Sequence, residues 1–181
     1  MHVIHLGESR YPAGLAKRMG GEAPQQLSAL GNLDLLQLPK TALFCSAKCP
    51  GSAILAAHDQ AASWRDSGRC VISGFHSPIE KECFLILLRG TQPIIIYPAH
   101  SLENMRVPGA WKAPLAAGRL LILSPFSSTH RRVTADLAAR RNGIVAALAD
   151  EAWFAYVTPG GQAEHLTKRL SEWQVPFAAQ H

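Results

Sequence analysis

The chain of 181 residues fits one domain with a full hydrophobic core, and its 48% hydrophobic and 17% charged residues exclude a disordered protein. No apolar run is long enough to cross a bilayer, and residues 1–5 lack the basic region of a secretory signal. We therefore predict a cytoplasmic protein without a membrane partner. The net charge of +5 allows a polyanionic partner but does not require one.

The four cysteines indicate packing rather than metal binding. Cys45, Cys49, Cys70 and Cys83 include no Cys-x-x-Cys pair, so they match no zinc-site spacing. Without a secretory signal they are expected to be reduced thiols in the core or at strand ends. The sequence thus predicts neither a metal site nor a cofactor.

The predicted elements fall into an irregular first part and a regular second part. Residues 1–40 are punctuated by Gly and Pro and predict a lead-in packed on the main domain, with one short helix near 24–30. From residue 41 onward, short apolar runs alternate with segments of helical periodicity. The predicted strands are 41–45, 70–73, 93–97, 120–124, 153–157 and a short edge strand at 175–177. The predicted helices are 52–67, 78–88, 134–148 and 162–173, with one or two short helices between 98 and 118 broken by Pro108 and Pro114.

This alternation predicts an α/β fold: a doubly wound, mostly parallel sheet of about five to six strands with helices on both faces, Rossmann-like in architecture. We expect residues 41–181 to form this domain and 1–40 to pack against it. In such sheets the ligand lies beyond the carboxyl ends of the strands, where the winding direction reverses. The rule selects four loops, which are 46–52, 73–77, 124–129 and 158–161.

Two of these loops lead into helices and are candidates for holding phosphate on backbone amides. Neither matches a Gly-x-Gly-x-x-Gly or P-loop pattern, and a plain strand–helix turn has the same appearance. His76 either contacts an anion or is simply solvated. The candidate residues are Ser46, Lys48, Gly51, Ser52, Ser73 and Gly74.

Two further segments carry candidate ligand contacts. The turn Pro159-Gly160-Gly161 allows close approach of a ligand, although a simple turn explains it equally well. Arg141 lies in a strongly helical stretch; its guanidinium suits phosphate, and Asn142 can contact a base or ribose. By composition alone, Arg141 reads as an exposed helical arginine. Arg131 or Arg132 is a further source of positive charge.

Several motifs, taken in order, resemble the DNA-processing protein A (DprA/Smf) family over roughly residues 10–178. The most specific is Arg141-Asn142-x-Ile144-Val145-Ala146-x-Leu148, which is similar to the family's Arg-Asn-Arg-Ile-Ile-Ala-x-Leu stretch. Val71-Ile72-Ser73-Gly74 resembles its Val-Val-Ser-Gly strand end, but the Ala-Arg-Gly-Ile-Asp continuation is replaced by 75–80. The family's Gly-Ser-Arg loop corresponds to Cys45-Ser46-Ala47, which keeps only the serine. The remaining matches are Tyr11-Pro12-x-x-Leu15, Leu30-Gly31-Asn32-Leu33, Pro39-Lys40 and Thr158-Pro159-Gly160-Gly161.

The resemblance implies more than the residues alone do. It implies a Rossmann-like fold, a basic pocket for single-stranded DNA, a homodimer, and delivery of DNA to the RecA recombinase in natural transformation and DNA recombination. The expectation is a non-enzymatic DNA-binding protein.

Two alternatives stay open at this point. The first is a small-nucleotide binding or sensing protein that uses the same loops. The second is a phosphoribohydrolase that looks like the LOG enzymes, whose signature is Pro-Gly-Gly-x-Gly-Thr-x-x-Glu. Here the segment from Pro159 lacks the Gly-Thr pair, and Glu164 comes three residues early, so its carboxylate faces elsewhere on the helix. We therefore predict no catalytic residues.

Overall fold

A computed structural model describes residues 1–130 and 132–180. Within them, eight strands form one mostly parallel sheet, and helices cover both faces, which confirms the predicted α/β fold. The strands are β1 (His2–His5), β2 (Gln26–Gly31), β3 (Lys40–Phe44), β4 (Cys70–Ser73), β5 (Ile94–Ile96), β6 (Leu120–Ser124), β7 (Glu151–Phe154) and β8 (Phe177–Ala179). The helices are α1 (Ala13–Met19), α2 (Gly51–Ser67), α3 (Pro78–Leu88), α4 (Gly109–Ala116), α5 (Ala135–Leu148) and α6 (Gln162–Glu172).

The strand order β1-β2-β6-β5-β4-β3-β7-β8 places the winding reversal at β3. From β3 the chain adds β4, β5 and β6 on one side, and later adds β7 and β8 on the other. Ala42 of β3 therefore pairs in parallel with both Ile72 of β4 and Ala152 of β7. The carboxyl ends of β3 and β7 mark the point where a doubly wound sheet leaves room for a ligand.

The predicted helix near 24–30 is wrong, because this segment is strand β2. Leu27 and Ala29 are fully buried two residues apart, which is the period of a strand with one face on the core. Ser28 pairs antiparallel with Ser124 of β6, and β1 then pairs antiparallel with β2. The sheet thereby grows from the predicted five to six strands to eight. The local periodicity of this segment is ambiguous, and it becomes a strand because it can pair with the open edge of β6.

Each face of the sheet is packed against three helices. On one face lie α1, α5 and α6, with Leu15, Ile144 and Leu170 buried in the same cluster. On the other face lie α2 and α3, with Ala57 and Cys83 in the cluster, and α4, whose Trp111 packs against it. The central strands are buried on both sides, which is why residues 42–44 of β3 and 120–123 of β6 are continuous apolar runs.

Two proline-containing segments refine the predicted boundaries. Pro108 directly precedes α4, whereas Pro114 lies inside it and does not break it. The edge strand begins at Phe177, two residues later than expected, because Val175 still donates to Leu170 and Pro176 has no amide hydrogen. In the part of the chain that the structure describes, no helix combines the length and apolarity needed to cross a membrane.

Gly31 at the end of β2 gives a stability test. Its φ is +114°, and a Cβ there would overlap the carbonyl oxygen of Leu120 on the neighbouring strand. Gly31→Ala is expected to lower the free energy of unfolding in urea by about 2 kcal/mol or more. Gly14→Ala is the control: the position is helical with open space around it, so it should be neutral or slightly stabilising. Equal stabilities of the two variants would contradict the strand assignment.

Candidate functional site

A cleft of about 570 Å³ opens at the winding reversal, between the loops after β3, β4 and β7. Five predicted residues line it: Ser46, Lys48, Arg141, Asn142 and Gly161. The other six are not part of its lining, and they are Gly51, Ser52, Ser73, Gly74, Pro159 and Gly160. The predicted loop 124–129 follows β6, three strands away from β3, and does not contribute. Arg131 lies outside the described residues, and Arg132 is exposed and not part of the lining.

Ser46 joins two of the loops that form the cleft. Its amide donates to the carbonyl of Tyr156 at 3.2 Å, and its hydroxyl oxygen accepts from the amide of Thr158 at 3.0 Å. The loop after β3 is thus fixed to the loop after β7. Lys48 lies exposed in the same loop, and α2 begins at Gly51 without a side-chain cap. The uncapped amides at this helix start carry partial positive charge, which suits a nearby anion.

Arg141 is the most distinctive side chain in the cleft, since only 3% of the residue is exposed. Its Nε donates to the Oδ1 of Asn142 at 2.6 Å, and Nη1 lies 3.4 Å from the carbonyl oxygen of Tyr97. Among the described residues no carboxylate forms an ion pair with it. Desolvation lowers the pKa of Arg141, and the charge of Glu80 acts in the opposite direction. A buried guanidinium without a paired anion is a natural receptor for one.

Gly74 makes room for this guanidinium. A Cβ at position 74 would overlap Nη1 and Cζ of Arg141, so the side chain lies directly against the glycine backbone. From the loop pattern we predict that Gly74 offers its amide to a phosphate. In the structure its contribution is the missing side chain, which lets Arg141 reach the cleft from α5.

Glu80 was not among the predicted residues, yet it organises the second loop. Its Oε2 accepts from the amides of His76 at 2.9 Å and Ser77 at 3.3 Å, and its Oε1 accepts from the amide of Cys45 at 3.1 Å. The amide of Phe75 donates to the hydroxyl of Ser73. The amides of residues 75 to 77, which were expected to hold a phosphate, therefore donate within the protein. The signal was present in the sequence, since Ser77 and Glu80 have the spacing of a capping box.

His76 lies at the cleft between two positive charges. Desolvation lowers its pKa below the ordinary value of 6.5, and the charges of Arg141 and Lys81 lower it further, while Glu80 raises it. The lowered pKa favours the neutral imidazole, in which one ring nitrogen donates a hydrogen bond and the other accepts one.

A second, apolar cavity of about 370 Å³ adjoins the first, and both are lined by His76 and Arg141. Three aromatic rings form its wall: Phe75 and Phe84 lie 4.7 Å apart, and Phe84 meets Trp111 edge-on at 5.7 Å. The cleft and an aromatic-walled cavity thus meet at one guanidinium.

Glu164 in the loop after β7 has a hydrogen-bond partner within its own turn, and three of the four cysteines are held as thiols by burial. The Glu164 carboxylate accepts from the amide of Gly160 at 3.0 Å, so it closes its own turn. Burial raises the pKa of Cys70 to about 11 and of Cys83 to about 12, and it also raises that of Cys45, so these thiols stay protonated at neutral pH. Within residues 1–130 and 132–180, no group of three or more His, Cys, Asp or Glu is placed to hold a metal ion.

Comparison with known proteins identifies one family and related folds. The family model for DNA recombination-mediator protein A matches residues 2–156. The structure is similar to DNA processing protein A from Streptococcus pneumoniae, with a TM-score of 0.81 and 21% identity over 98% of this chain and 62% of that one. It is similar to DNA processing protein A from Helicobacter pylori, whose structure is described by its single-stranded DNA binding mode, with a TM-score of 0.77 and 18% identity over 100% of this chain and 82% of that one.

A more distant structural similarity extends the fold beyond these two proteins. The molybdenum cofactor binding protein from Rippkaea orientalis has a TM-score of 0.56 and 10% identity, over 78% of this chain and 75% of that one. These likenesses show the fold. Comparison of the sequence with curated proteins gives no match. The chain spans 62% of the length of the S. pneumoniae protein.

The position of Arg141 beside His76 can be tested by titration. Replacing Arg141 with Met removes one charge that lowers the pKa of His76, so this pKa should rise toward 6.5. Arg140→Met is the matched control, because Arg140 faces Phe126 instead. Proton NMR of the imidazole signals between pH 4 and 8 measures both. An unchanged His76 pKa in the Arg141 variant would place the guanidinium elsewhere.

Proposed function

Because the chain belongs to the family of DNA recombination-mediator protein A, whose model matches residues 2–156, we propose that it binds single-stranded DNA in the cleft at the winding reversal. The observation that carries the proposal is Arg141, which is buried at 3% exposure without a paired carboxylate among the described residues. Burying an arginine costs free energy that an arriving phosphate recovers.

The electrostatics around Arg141 favour a phosphate group. Lys48 adds a flexible point charge to the lining of the cleft, where α6 begins without a side-chain N-cap. α2 begins at Gly51, in the same loop as Lys48, and also lacks a side-chain cap. Helix starts carry partial positive charge that extends over the first turn. Asn142 accepts from Nε of Arg141 and the Tyr97 carbonyl accepts from Nη1, which leaves the Nη2 protons to face a ligand.

The aromatic cavity gives the same ligand a place for its base. Single-stranded nucleic acid is bound by positive charge along its backbone together with stacking of its bases on aromatic rings. Here Arg141 lines both cavities, so a phosphate on the guanidinium leaves the attached base within reach of Phe84 and Trp111. The description of the H. pylori protein as single-stranded DNA binding supports this assignment.

The wider biological role follows the family. The family is named for mediating DNA recombination, so we infer that the chain acts by binding DNA and not by a catalytic step. A cytoplasmic location stays a prediction from the sequence. A homodimer, delivery of DNA to RecA and a part in natural transformation stay predictions from the resemblance.

A small nucleotide is the second candidate ligand. Cavities of about 570 and 370 Å³ that meet at Arg141 suit one nucleotide, with its phosphate in the first and its base in the second. Competition separates the candidates: dTMP that displaces oligo-dT only at concentrations near 1,000-fold higher identifies DNA, whereas displacement at equal concentration identifies the nucleotide.

Arg141→Ala is the direct test of DNA binding. Loss of a charged contact to phosphate should weaken oligo-dT binding by about ten- to a hundredfold and reduce the salt slope by about one. Fluorescence anisotropy at several salt concentrations measures both quantities. Arg65→Ala is the control, since Arg65 lies in the last turn of α2, away from the cleft, and pairs with Asp66. Equal losses in the two variants would indicate nonspecific attraction only.

Base stacking is tested by oligonucleotides that keep the charge but lack bases. The protein should bind oligo-dT about tenfold more tightly than an abasic strand of equal length, since each stacked base contributes about 1–3 kcal/mol. Trp111→Leu should abolish most of this preference while leaving abasic binding unchanged. Trp173→Leu is the control, because Trp173 stacks under Arg169 at the far end of α6. If the wild type shows no preference for strands with bases, the proposed base site is wrong and the proposed phosphate site is unaffected.

A further inference from the structure

The Glu80 side chain occupies a place that resembles an anion site. Only 7% of Glu80 is exposed, yet no lysine, arginine or histidine in the described residues pairs with it. Its charge is met by three backbone amides instead, those of Cys45, His76 and Ser77, at 2.9 to 3.3 Å. These amides come from the loops after β3 and β4 and converge on one point at the start of α3.

Convergent amides at a helix start are the arrangement that proteins use to bind phosphate. In this chain the protein's own carboxylate fills that arrangement. Arg141 lies close enough for the charge of Glu80 to act on it, but the two form no ion pair. Two anion positions therefore lie side by side: the amide position, which Glu80 fills, and the Arg141 position, which no carboxylate of the described residues fills.

We propose that Glu80 determines the specificity of the cleft by acting as a resident anion that restricts it to one phosphate group, at Arg141. The inference deepens the proposed function, because it rests on the cleft binding a phosphate-bearing ligand. A second phosphate on the amides of residues 45, 76 and 77 would have to displace the carboxylate. The negative charge of Glu80 also lowers the affinity of Arg141 for phosphate, since like charges repel across a partly desolvated cleft.

Glu80 is at the same time a positioning residue for both loops. Its two oxygens fix Cys45 after β3 and the 76–77 segment after β4, so the loops keep one relative position. Removing the side chain leaves three donors without an acceptor, which destabilises the folded state. If Glu80 were only structural, no small anion added to the solution could take the place of its deleted carboxylate. If Glu80 is a resident anion, added phosphate can take that place, and this difference can be measured.

The experiment compares the wild type with Glu80→Ala, using inorganic phosphate as the probe and chloride at matched ionic strength as the reference. Thermal unfolding is followed by circular dichroism, and phosphate binding by calorimetry. We expect Glu80→Ala to unfold at lower temperature in chloride and to recover most of the loss in phosphate. We expect it to bind a second phosphate and to reach half-saturation at about tenfold lower concentration than the wild type. Phosphate that stabilises the variant no more than the wild type overturns the proposal.

Two further variants keep the test decisive. Glu82→Ala removes the same charge two residues along α3, where the carboxylate is half exposed and pairs with His58, so it should respond like the wild type. If Glu80→Ala does not fold in chloride, refolding in phosphate alone supports the resident anion, and refolding in neither buffer leaves the decision to Glu80→Gln. That variant keeps the side-chain volume without the charge and should bind phosphate several-fold more tightly; unchanged affinity overturns the proposal.

The outcomes also separate this inference from the DNA-binding proposal. Phosphate rescue of Glu80→Ala without oligonucleotide binding by the wild type would remove DNA as the ligand and keep the role of Glu80. Oligonucleotide binding that depends on Arg141, without phosphate rescue, would keep DNA and remove the role of Glu80.

Discussion

The carboxyl edge of the sheet is organised around the burial of one guanidinium. Arg141 extends from α5 beneath the loop after β4 and lies against Gly74, where any Cβ would overlap it. Asn142 and the carbonyl of Tyr97 accept two of its hydrogen bonds, and no carboxylate in residues 1–130 and 132–180 forms an ion pair with it. Because desolvating an arginine costs much free energy, the residues around it must leave it space and add no positive charge. Gly74 leaves the space, the lowered pKa of His76 favours its neutral form, and Glu80 contributes a negative charge nearby.

Much of the fold could be predicted from the sequence, because buried parallel strands read as apolar runs. Cys70–Ser73 and Leu120–Ser124 agree residue for residue with the prediction, and so does the helix Pro78–Leu88. The strand Gln26–Gly31 was not predicted, because it contains no continuous apolar run. Its inward positions are Leu27 and Ala29, too few to establish a period, and its identity depends on the free edge of Leu120–Ser124. Such tertiary selection is not visible in a local window.

The candidate site was predictable in its location but less so in its chemistry. The winding rule and the family motif together predicted five residues that the structure places in one cleft, which are Ser46, Lys48, Arg141, Asn142 and Gly161. The sequence could not show that Arg141 is buried, since an arginine in a helical stretch is usually exposed. It also could not show that Glu80 reaches across to Cys45, because that contact joins residues 35 positions apart. The family has an arginine after the serine of its first loop, whereas this chain has Ala47. Arg141 and Lys48 are therefore the positively charged residues of the described cleft lining that can face a phosphate.

The hydrogen bonds of Ser46 have a consequence for how a ligand enters. They tie the loop after β3 to Tyr156 and Thr158 after β7, while Glu80 ties the same loop to the segment after β4. The walls of the cleft are thus joined in pairs before any ligand arrives. A ligand would bind to a preorganised cleft, so little conformational entropy is lost in ordering the loops on binding. Association should then proceed as a single step at a rate set by diffusion and charge, without a slower closing phase after the encounter.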